Sequence, residues 1–140
     1  MKVENAVYPK GEQLGEAIAK GSNEPIVMLN LLKFKDKAVY KDGTADGSDG
    51  RTAYNRYGME MLQHVIENGG KVLFLGDAKS LVIGEVEEMW DAVALVEYPS
   101  SEAFVKIAMS PHVAKIGVHR EAGLAGQLLI QVVQRGTASQ

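Results

Sequence analysis

Two histidines are the residues of this sequence best suited to proton transfer: His112 and His119, in the segment SPHVAKIGVHR. Positions three, four and seven apart share one face of a helix, so His112, Lys115 and His119 would lie along one edge. Histidine titrates near neutral pH, and this edge could therefore supply a general acid or base. A metal site would need a third ligand that the edge does not offer, and we expect none.

Arg120 belongs to the adjoining inward face of the same predicted helix, together with Val113, Ile116 and Gly117. A guanidinium on an inward face needs an anionic partner, because an unpaired buried charge strongly destabilises a protein. The partner is either a carboxylate of the protein, such as Glu97, or an anionic ligand. Both alternatives stay open from the sequence.

Five further side chains could orient a small molecule. Asn30 interrupts the apolar run IVMLNLL, where an unpaired amide is costly to bury. Tyr54 and Tyr57 lie one helical turn apart, and a phenol offers a polar group on an apolar body. Each of these residues has a structural alternative as part of the core. We predict these catalytic candidates: His112, His119 and Tyr57. We predict these ligand-binding candidates: Asn30, Tyr54, Trp90, Tyr98 and Arg120.

The aspartate-rich stretch DGTADGSDG resembles a calcium-binding loop only in composition. Counted from its first aspartate, the third ligand position is Thr44 and the twelfth is Ala53, where a bidentate glutamate is required. We therefore expect Asp46 and Asp49 to serve turns. The predicted loop over 36–50 is long for a compact domain, and loops of this length often act as lids.

Hydrophobic periodicity and helix-capping residues divide the chain into the elements that must position these residues. The predicted helices cover 9–20, 51–68 and about 101–121, the last broken at Ser110-Pro111; the predicted strands cover 25–35, 71–84 with a bulge near Gly76-Asp77, 89–98 and 124–133. After the N-terminal helix, this order is β-α-β-β-α-β. It predicts one ferredoxin-like α+β domain over 1–140, with a four-stranded antiparallel sheet and a core over 25–133.

The predicted strands are apolar on both faces, as in IVMLNLL, VLFL, AVALV and LLIQVV. A sheet that helices cover on one side only should alternate apolar and polar residues. The second face therefore needs a cover, and no segment of the chain remains to provide it. Two copies packed sheet against sheet would cover it, which predicts a homodimer with a barrel-like core.

Composition excludes several other classes of protein. The net charge is −3 and no basic stripe is present, which argues against nucleic-acid binding. The chain has no cysteine, so disulfides, thiolate nucleophiles and cysteine-based metal sites are excluded. The first residues lack a secretory apolar stretch, and no apolar run approaches the roughly 20 residues that span a bilayer. We expect a cytoplasmic protein without membrane or nucleic-acid partners.

Five segments together carry a resemblance to a known family: MLNLLKFK, GRTAYNRYG, Trp90-Asp91, VEYPS and REAGL. Over about 25–133 the chain resembles the dimeric α+β barrel superfamily, and within it a small bacterial family of unknown function. The resemblance implies a ferredoxin-like fold and a homodimer. The superfamily includes cofactor-free monooxygenases, isomerases and heme-binding enzymes, so the fold does not determine the activity.

Some heme-degrading members of the superfamily combine an Asn on the first strand, a Trp on the third strand and a His on the following helix. This chain has Tyr98 and Gly117 at the last two positions, so we expect no heme and no other cofactor. The resemblance implies a homodimer that binds a small organic ligand in a cleft between sheet and helices. If the protein is an enzyme, cofactor-independent oxygenation or isomerisation is implied. The alternative is a non-catalytic ligand-binding or structural protein.

Overall fold

The computed structural model describes residues 2–21 and 23–135. Four helices and four strands follow one another as α1 (Gly11–Lys20), β1 (Ile26–Phe34), α2 (Gly50–Glu67), β2 (Lys71–Asp77), β3 (Ala92–Tyr98), α3 (Ser101–Ala108), α4 (Pro111–Gly123) and β4 (Leu124–Val132). The predicted order, with an N-terminal helix before β-α-β-β-α-β, is confirmed. The last predicted helix, over about 101–121, is divided into α3 and α4 at Ser110-Pro111, where the sequence predicts its break.

The four strands form one antiparallel sheet in the order β2-β3-β1-β4. This is the predicted ferredoxin-like α+β arrangement, with helices on one face of the sheet. The core lies between that face and the helices, and its buried side chains are Ile26, Met28, Tyr57, Met61, Val65, Val96, Tyr98, Phe104, Ile107 and Ile116. In the described part of the chain, no helix combines the length and apolar character needed to cross a membrane.

Side-chain caps begin three of the helices. Asp49, Ser100 and Ser110 each accept a hydrogen bond from the backbone N–H three residues later. Each cap satisfies a donor that the first helical turn leaves without an intrahelical partner. Pro111 fits the first turn of α4, because its missing N–H would have no partner there.

Three predicted boundaries and the position of the bulge are wrong. Strand β3 begins at Ala92 rather than at residue 89. Strand β2 ends at Asp77 rather than at residue 84, because β3 begins opposite Asp77 and offers later residues no partner. The bulge lies between Val72 and Phe74 instead of near Gly76-Asp77. The first helix begins two residues later than predicted, at Gly11.

Gly123 is the last residue of α4 rather than its C-cap, because the helix packs closely on the start of α2. A Cβ atom on Gly123 would lie 2.2 Å from the carbonyl oxygen of Gly50. A Cβ atom on Gly50 would in turn lie 2.1 Å from the carbonyl oxygen of Lys35. Both positions therefore require glycine so that α2, α4 and the end of β1 can approach one another.

The sheet face opposite the helices is apolar across all four strands. In the strand register its members share this face, which we call the outer apolar face: Val27, Leu29, Leu31, Phe74, Val93, Leu95, Leu128, Ile130 and Val132. None of these nine side chains is buried within the single chain. The absence of the polar alternation typical of a solvated face agrees with the sequence analysis.

Candidate functional site

Asn30 lies half-buried in the middle of β1, on the face of the sheet that the helices cover. Its Nδ2 donates to the backbone oxygens of Met28 and Ala94, at 3.2 and 3.3 Å. Its Oδ1 accepts a hydrogen bond from Gln127 Nε2 at 2.8 Å. Every polar atom of the amide has a partner, which offsets the cost of burying it. Asn30 is therefore held by the sheet and in turn orients Gln127.

Gln127 joins the sheet to helix α4. It lies on β4, and its Oε1 accepts a hydrogen bond from Arg120 Nη2 at 2.7 Å. Asn30, Gln127 and Arg120 thus form one continuous chain of hydrogen bonds from the central strand to the helix. Arg120 is half-buried, in keeping with its predicted place beside the inward-facing Ile116.

The suggested partner of Arg120 is wrong. Glu97 pairs with Lys71 and Val27 in the strand register and so lies on the outer side of the sheet, away from the helices. Among the described residues, Arg120 forms no ion pair with a carboxylate. Its other neighbour is the ring of Tyr8, whose centroid lies 5.5 Å from the guanidinium carbon. Arg120 is thus a half-buried cation without a carboxylate at ion-pair distance in the described part of the chain.

Three tyrosines extend the site along the core. The rings of Tyr54 and Tyr57 lie 5.5 Å apart, and the ring of Tyr98 packs edge-on against Phe104. None of the three hydroxyls forms a hydrogen bond with another described residue. No buried side-chain nitrogen or oxygen in the described part of the chain lacks a partner, so these hydroxyls reach accessible space. Tyr57 and Tyr98 are nevertheless buried and Tyr54 is half-buried, so most of each phenol is withdrawn from water.

The phenols and the guanidinium influence one another electrostatically. Burial raises the pKa of Tyr54, Tyr57 and Tyr98, and charge on Tyr57 would raise the pKa of both other phenols further. The positive charge of Arg120 has the smaller opposite effect of lowering the pKa of Tyr54 and Tyr57. These groups therefore share one neighbourhood, and at neutral pH the phenols are uncharged hydrogen-bond donors rather than bases.

An N-terminal strap, residues 5–8, crosses the outer end of this hydrogen-bond chain. Ala6 pairs with Gln127 through two backbone hydrogen bonds of 3.2 and 2.9 Å. The ring of Tyr8 covers Arg120, and its hydroxyl donates to Glu121 Oε2 at 2.6 Å. Trp90 donates from Nε1 to the side-chain Oδ1 of Asn5 in the strap, at 2.7 Å. Trp90 thus anchors the strap and is not part of the tyrosine cluster.

His119 belongs to a second hydrogen-bond network, which fastens the loop over 36–50. The hydroxyl of Tyr40 lies 2.7 Å from His119 Nδ1 and accepts a hydrogen bond from Arg56 Nη1 at 2.8 Å. Since Arg56 donates to the phenol oxygen, the phenol hydrogen is free to be donated to the imidazole. Arg56 also binds Asp46 Oδ2 at 2.8 Å. The network connects the loop to both α2 and α4.

The aspartates of this loop serve turns, as expected. Asp46 accepts hydrogen bonds from the hydroxyl and the backbone N–H of Ser48, and Asp49 caps α2. The hydrogen bonds from Ser48, and then that from Arg56, lower the pKa of Asp46. The Asp46 carboxylate therefore accepts hydrogen bonds from neighbouring residues and stabilises the turn.

His112 lies in a third environment, at the start of α4. Its ring centroid is 4.8 Å from that of His64, and its Nε2 is 4.0 Å from Glu60 Oε2. These side chains open onto a surface pocket of about 470 Å³, lined by Met59, Glu60, Gln63, His64, Glu67 and His112. The described residues contain no group of three or more His, Cys, Asp or Glu side chains that could hold a metal ion. The two histidines of the predicted edge therefore enter different networks.

Sequence reasoning missed two members of the site, Gln127 and Tyr8. Gln127 directly precedes the apolar run LLIQVV and is a polar residue within the predicted strand over 124–133, as Asn30 is within β1, which is a usable signal. Its contacts with Asn30 and Arg120 depend on strand register, which no local pattern specifies. Tyr8 precedes the first helix and follows no periodicity that would place it.

The chain was compared with known proteins. No protein-family model and no curated protein matches it. A protein of unknown function from Rhodopseudomonas palustris is 31% identical with a TM-score of 0.84, over 96% of this chain and 100% of that one. The methylated form of that protein is 32% identical with the same TM-score, over 95% and 98% of the two chains. The chain belongs to the family of the Rhodopseudomonas palustris protein, a ferredoxin-like family of unknown function.

Proposed function

We propose that the protein is a homodimer that binds a small organic anion between the sheet and helix α4. The observation that carries the proposal is Arg120, a half-buried guanidinium without a carboxylate partner among the described residues. A guanidinium has five N–H donors, and the hydrogen bond to Gln127 occupies one of them. The others can bind a carboxylate or enolate oxygen in charge-assisted hydrogen bonds.

Each remaining residue of the site would have a defined part in binding. Asn30 holds Gln127, and Gln127 holds the guanidinium plane of Arg120. The uncharged hydroxyls of Tyr54 and Tyr57 would donate to the anion or to an oxygen near it. The site therefore suits a ligand with an acidic group and a small polar or aromatic body.

A reaction at this site would be one in which negative charge develops on an oxygen beside Arg120. Enolate formation, as in isomerisation or in cofactor-independent oxygenation, meets this condition, because a fixed cation stabilises such a charge. Tyr57 would donate a proton to that oxygen, and water would accept the proton released from carbon, because His119 and His112 lie in separate networks. Tyr57 lies in the Arg120 neighbourhood, while the histidines contact Tyr40 and His64.

The non-catalytic alternative also has an observation in its favour. The amide of Asn30 is saturated by hydrogen bonds to the protein, so Asn30 supports the site instead of reacting in it. A ligand-binding protein without catalysis needs only such an arrangement. Mass spectrometry of a bound ligand distinguishes catalysis from simple binding, because only an enzyme changes the ligand chemically.

The test is a binding screen of small aliphatic and aromatic carboxylates by thermal shift, followed by calorimetry. Removing a charge-assisted hydrogen bond costs about 1.5–3 kcal/mol, so Arg120→Gln should weaken binding about 10- to 100-fold. Arg51→Gln is the matched control, because Arg51 is paired with Asp77 on β2, at the opposite edge of the sheet from Gln127 on β4. If the carboxylates bind Arg120→Gln as tightly as the unmodified protein, the proposal is wrong.

The homodimer is supported by the outer apolar face. Nine apolar side chains on one sheet face are stabilised when a second copy removes them from water. Sedimentation equilibrium should give twice the chain mass of 15.1 kDa. Leu95→Asp, at the centre of this face, should yield a monomer, and Met59→Asp, exposed on α2, should not. A monomeric unmodified protein would contradict the proposal.

A further inference from the structure

The loop over 78–91, which connects β2 and β3, carries three consecutive exposed apolar residues. Leu81, Val82 and Ile83 are 42%, 87% and 89% exposed. Single exposed apolar side chains are ordinary, but a contiguous group marks a surface that contacts another molecule. We call residues 81–83 the apolar arm.

The base of this loop is fixed on the outer side of the sheet. The backbone N–H of Asp91 donates to the Leu32 oxygen at 2.7 Å, and that of Ala78 donates to the Asp91 oxygen at 2.9 Å. Lys33 follows Leu31 in the strand alternation and so faces the outer side, where its Nζ lies 3.4 Å from Glu88 Oε1. The loop therefore leaves the sheet beside the outer apolar face.

The area of the outer apolar face bears on the role of the apolar arm. Four strands about 4.8 Å apart, of about eight residues rising roughly 3.3 Å each, present a face of about 500 Å². A standard protein interface buries about 800 Å² of accessible surface on each partner, a quantity that exceeds the flat area of the same contact. The sheet therefore provides a contact of modest size, and an apolar segment attached at its edge can enlarge it.

We propose that the apolar arm of each subunit packs on the second copy of the chain and extends the interface formed by the outer apolar faces. This rests on the homodimer proposed above. In a dimer formed by the outer apolar faces, a segment that extends from the outer side of one subunit lies on the partner's side of the sheet, and the twofold symmetry repeats its contact. Strand β2 leads directly into the loop that carries the apolar arm. Its Phe74, a member of the outer apolar face, is 53% exposed at the sheet edge.

The first experiment measures the dimer dissociation constant of Val82→Asp/Ile83→Asp by sedimentation equilibrium. A desolvated charge at a packed interface should weaken the dimer at least tenfold, with an unchanged circular dichroism spectrum. Met59→Asp/Val118→Asp is the matched control, because both residues are exposed apolar positions on helices. An unchanged dissociation constant in the arm variant would overturn the proposal.

The second experiment uses the absence of cysteine from the chain. Ile83→Cys creates a single thiol for an environment-sensitive fluorophore, and Met59→Cys serves as the control. The arm label should shift to shorter emission wavelength as the protein is concentrated through its dimer dissociation constant, while the control label should not. If Leu95→Asp disrupts the dimer but the emission of the arm label does not change with concentration, only the arm proposal is wrong. If the unmodified protein is a monomer, the homodimer proposal itself is wrong.

Discussion

Gln127 links two groups that could not contact each other directly, Asn30 on the sheet and Arg120 on α4. An amide both donates and accepts, so Gln127 donates to the Asn30 oxygen and accepts from the guanidinium. Half-buried polar groups of this kind are stable when every partner is present. The direction in which Arg120 points is therefore determined by one neutral side chain.

We predict that Gln127→Leu destabilises the protein by about 1–3 kcal/mol, because it leaves Asn30 Oδ1 and an Arg120 donor without partners. Urea unfolding followed by circular dichroism measures this free energy. Gln63→Leu is the control, since Gln63 is exposed and bonds only to Glu67 on the same helix. Equal stability of the two variants would show that the chain of hydrogen bonds contributes nothing.

The buried phenols predict a loss of stability in alkali. Their pKa is raised in the folded state, so the unfolded chain releases these protons first. Their contribution is complete below the ordinary tyrosine pKa of 10.0 and is lost as the pH rises toward the folded value. Tyr57→Phe should shift the alkaline unfolding midpoint upward. Tyrosine absorbance that titrates fully near the ordinary value, without unfolding, would contradict this.

Among the elements, the loop over 36–50 is fastened more firmly than its glycine and aspartate content indicates. Ala38 is buried, and its N–H donates to the Ser48 oxygen at 3.0 Å. Tyr40 then binds both His119 and Arg56. The length of the loop is typical of a lid, but its hydrogen bonds hold it to helices α2 and α4.

We predict that Tyr40→Phe loosens this loop, because it removes the hydrogen bonds to His119 and Arg56, each worth about 1 kcal/mol. Hydrogen exchange measured by mass spectrometry should show faster exchange over 37–48 and unchanged exchange in the sheet. Tyr8→Phe, which also removes a phenol hydrogen bond, is the control and should leave this loop as it was. Unaltered loop exchange in Tyr40→Phe would show that backbone contacts alone hold the loop.

Local signals were sufficient for most elements and insufficient for the site. Ser100 and Ser110 marked helix starts because capping is a short-range interaction. The apolar pattern predicts a strand over 71–84, but within the described residues no strand pairs with residues beyond Asp77. The hydrogen bond between Asn30 and Gln127 joins residues 97 positions apart, and such pairings depend on sheet register.

At the scale of the whole molecule, the sheet separates two surfaces of different character. One face carries the core and the Arg120 neighbourhood, and the other is apolar and exposed in the single chain. Glu97 illustrates the separation, since it lies within the sheet yet on the side that Arg120 cannot reach. Ligand binding and dimer formation are thus assigned to opposite faces and can be tested independently.

We predict that the midpoint of thermal unfolding rises with protein concentration, because mass action stabilises a dimer whose interface exists only in the folded state. Differential scanning calorimetry over a hundredfold concentration range measures the change. Leu95→Asp should give a midpoint that is lower and independent of concentration. A constant midpoint for the unmodified protein would indicate that the folded chain gains nothing from association.

The N-terminal strap has a consequence for how members of this family can diverge. It covers Arg120 with Tyr8, pairs with Gln127 through Ala6 and packs Val7 against a buried cluster, yet it lies outside the sheet's central strands. Replacement of Tyr8 would alter what reaches the guanidinium while Val7 and the packed elements stay the same. At the proposed site, new ligand preferences can therefore arise without a change in the helices and strands.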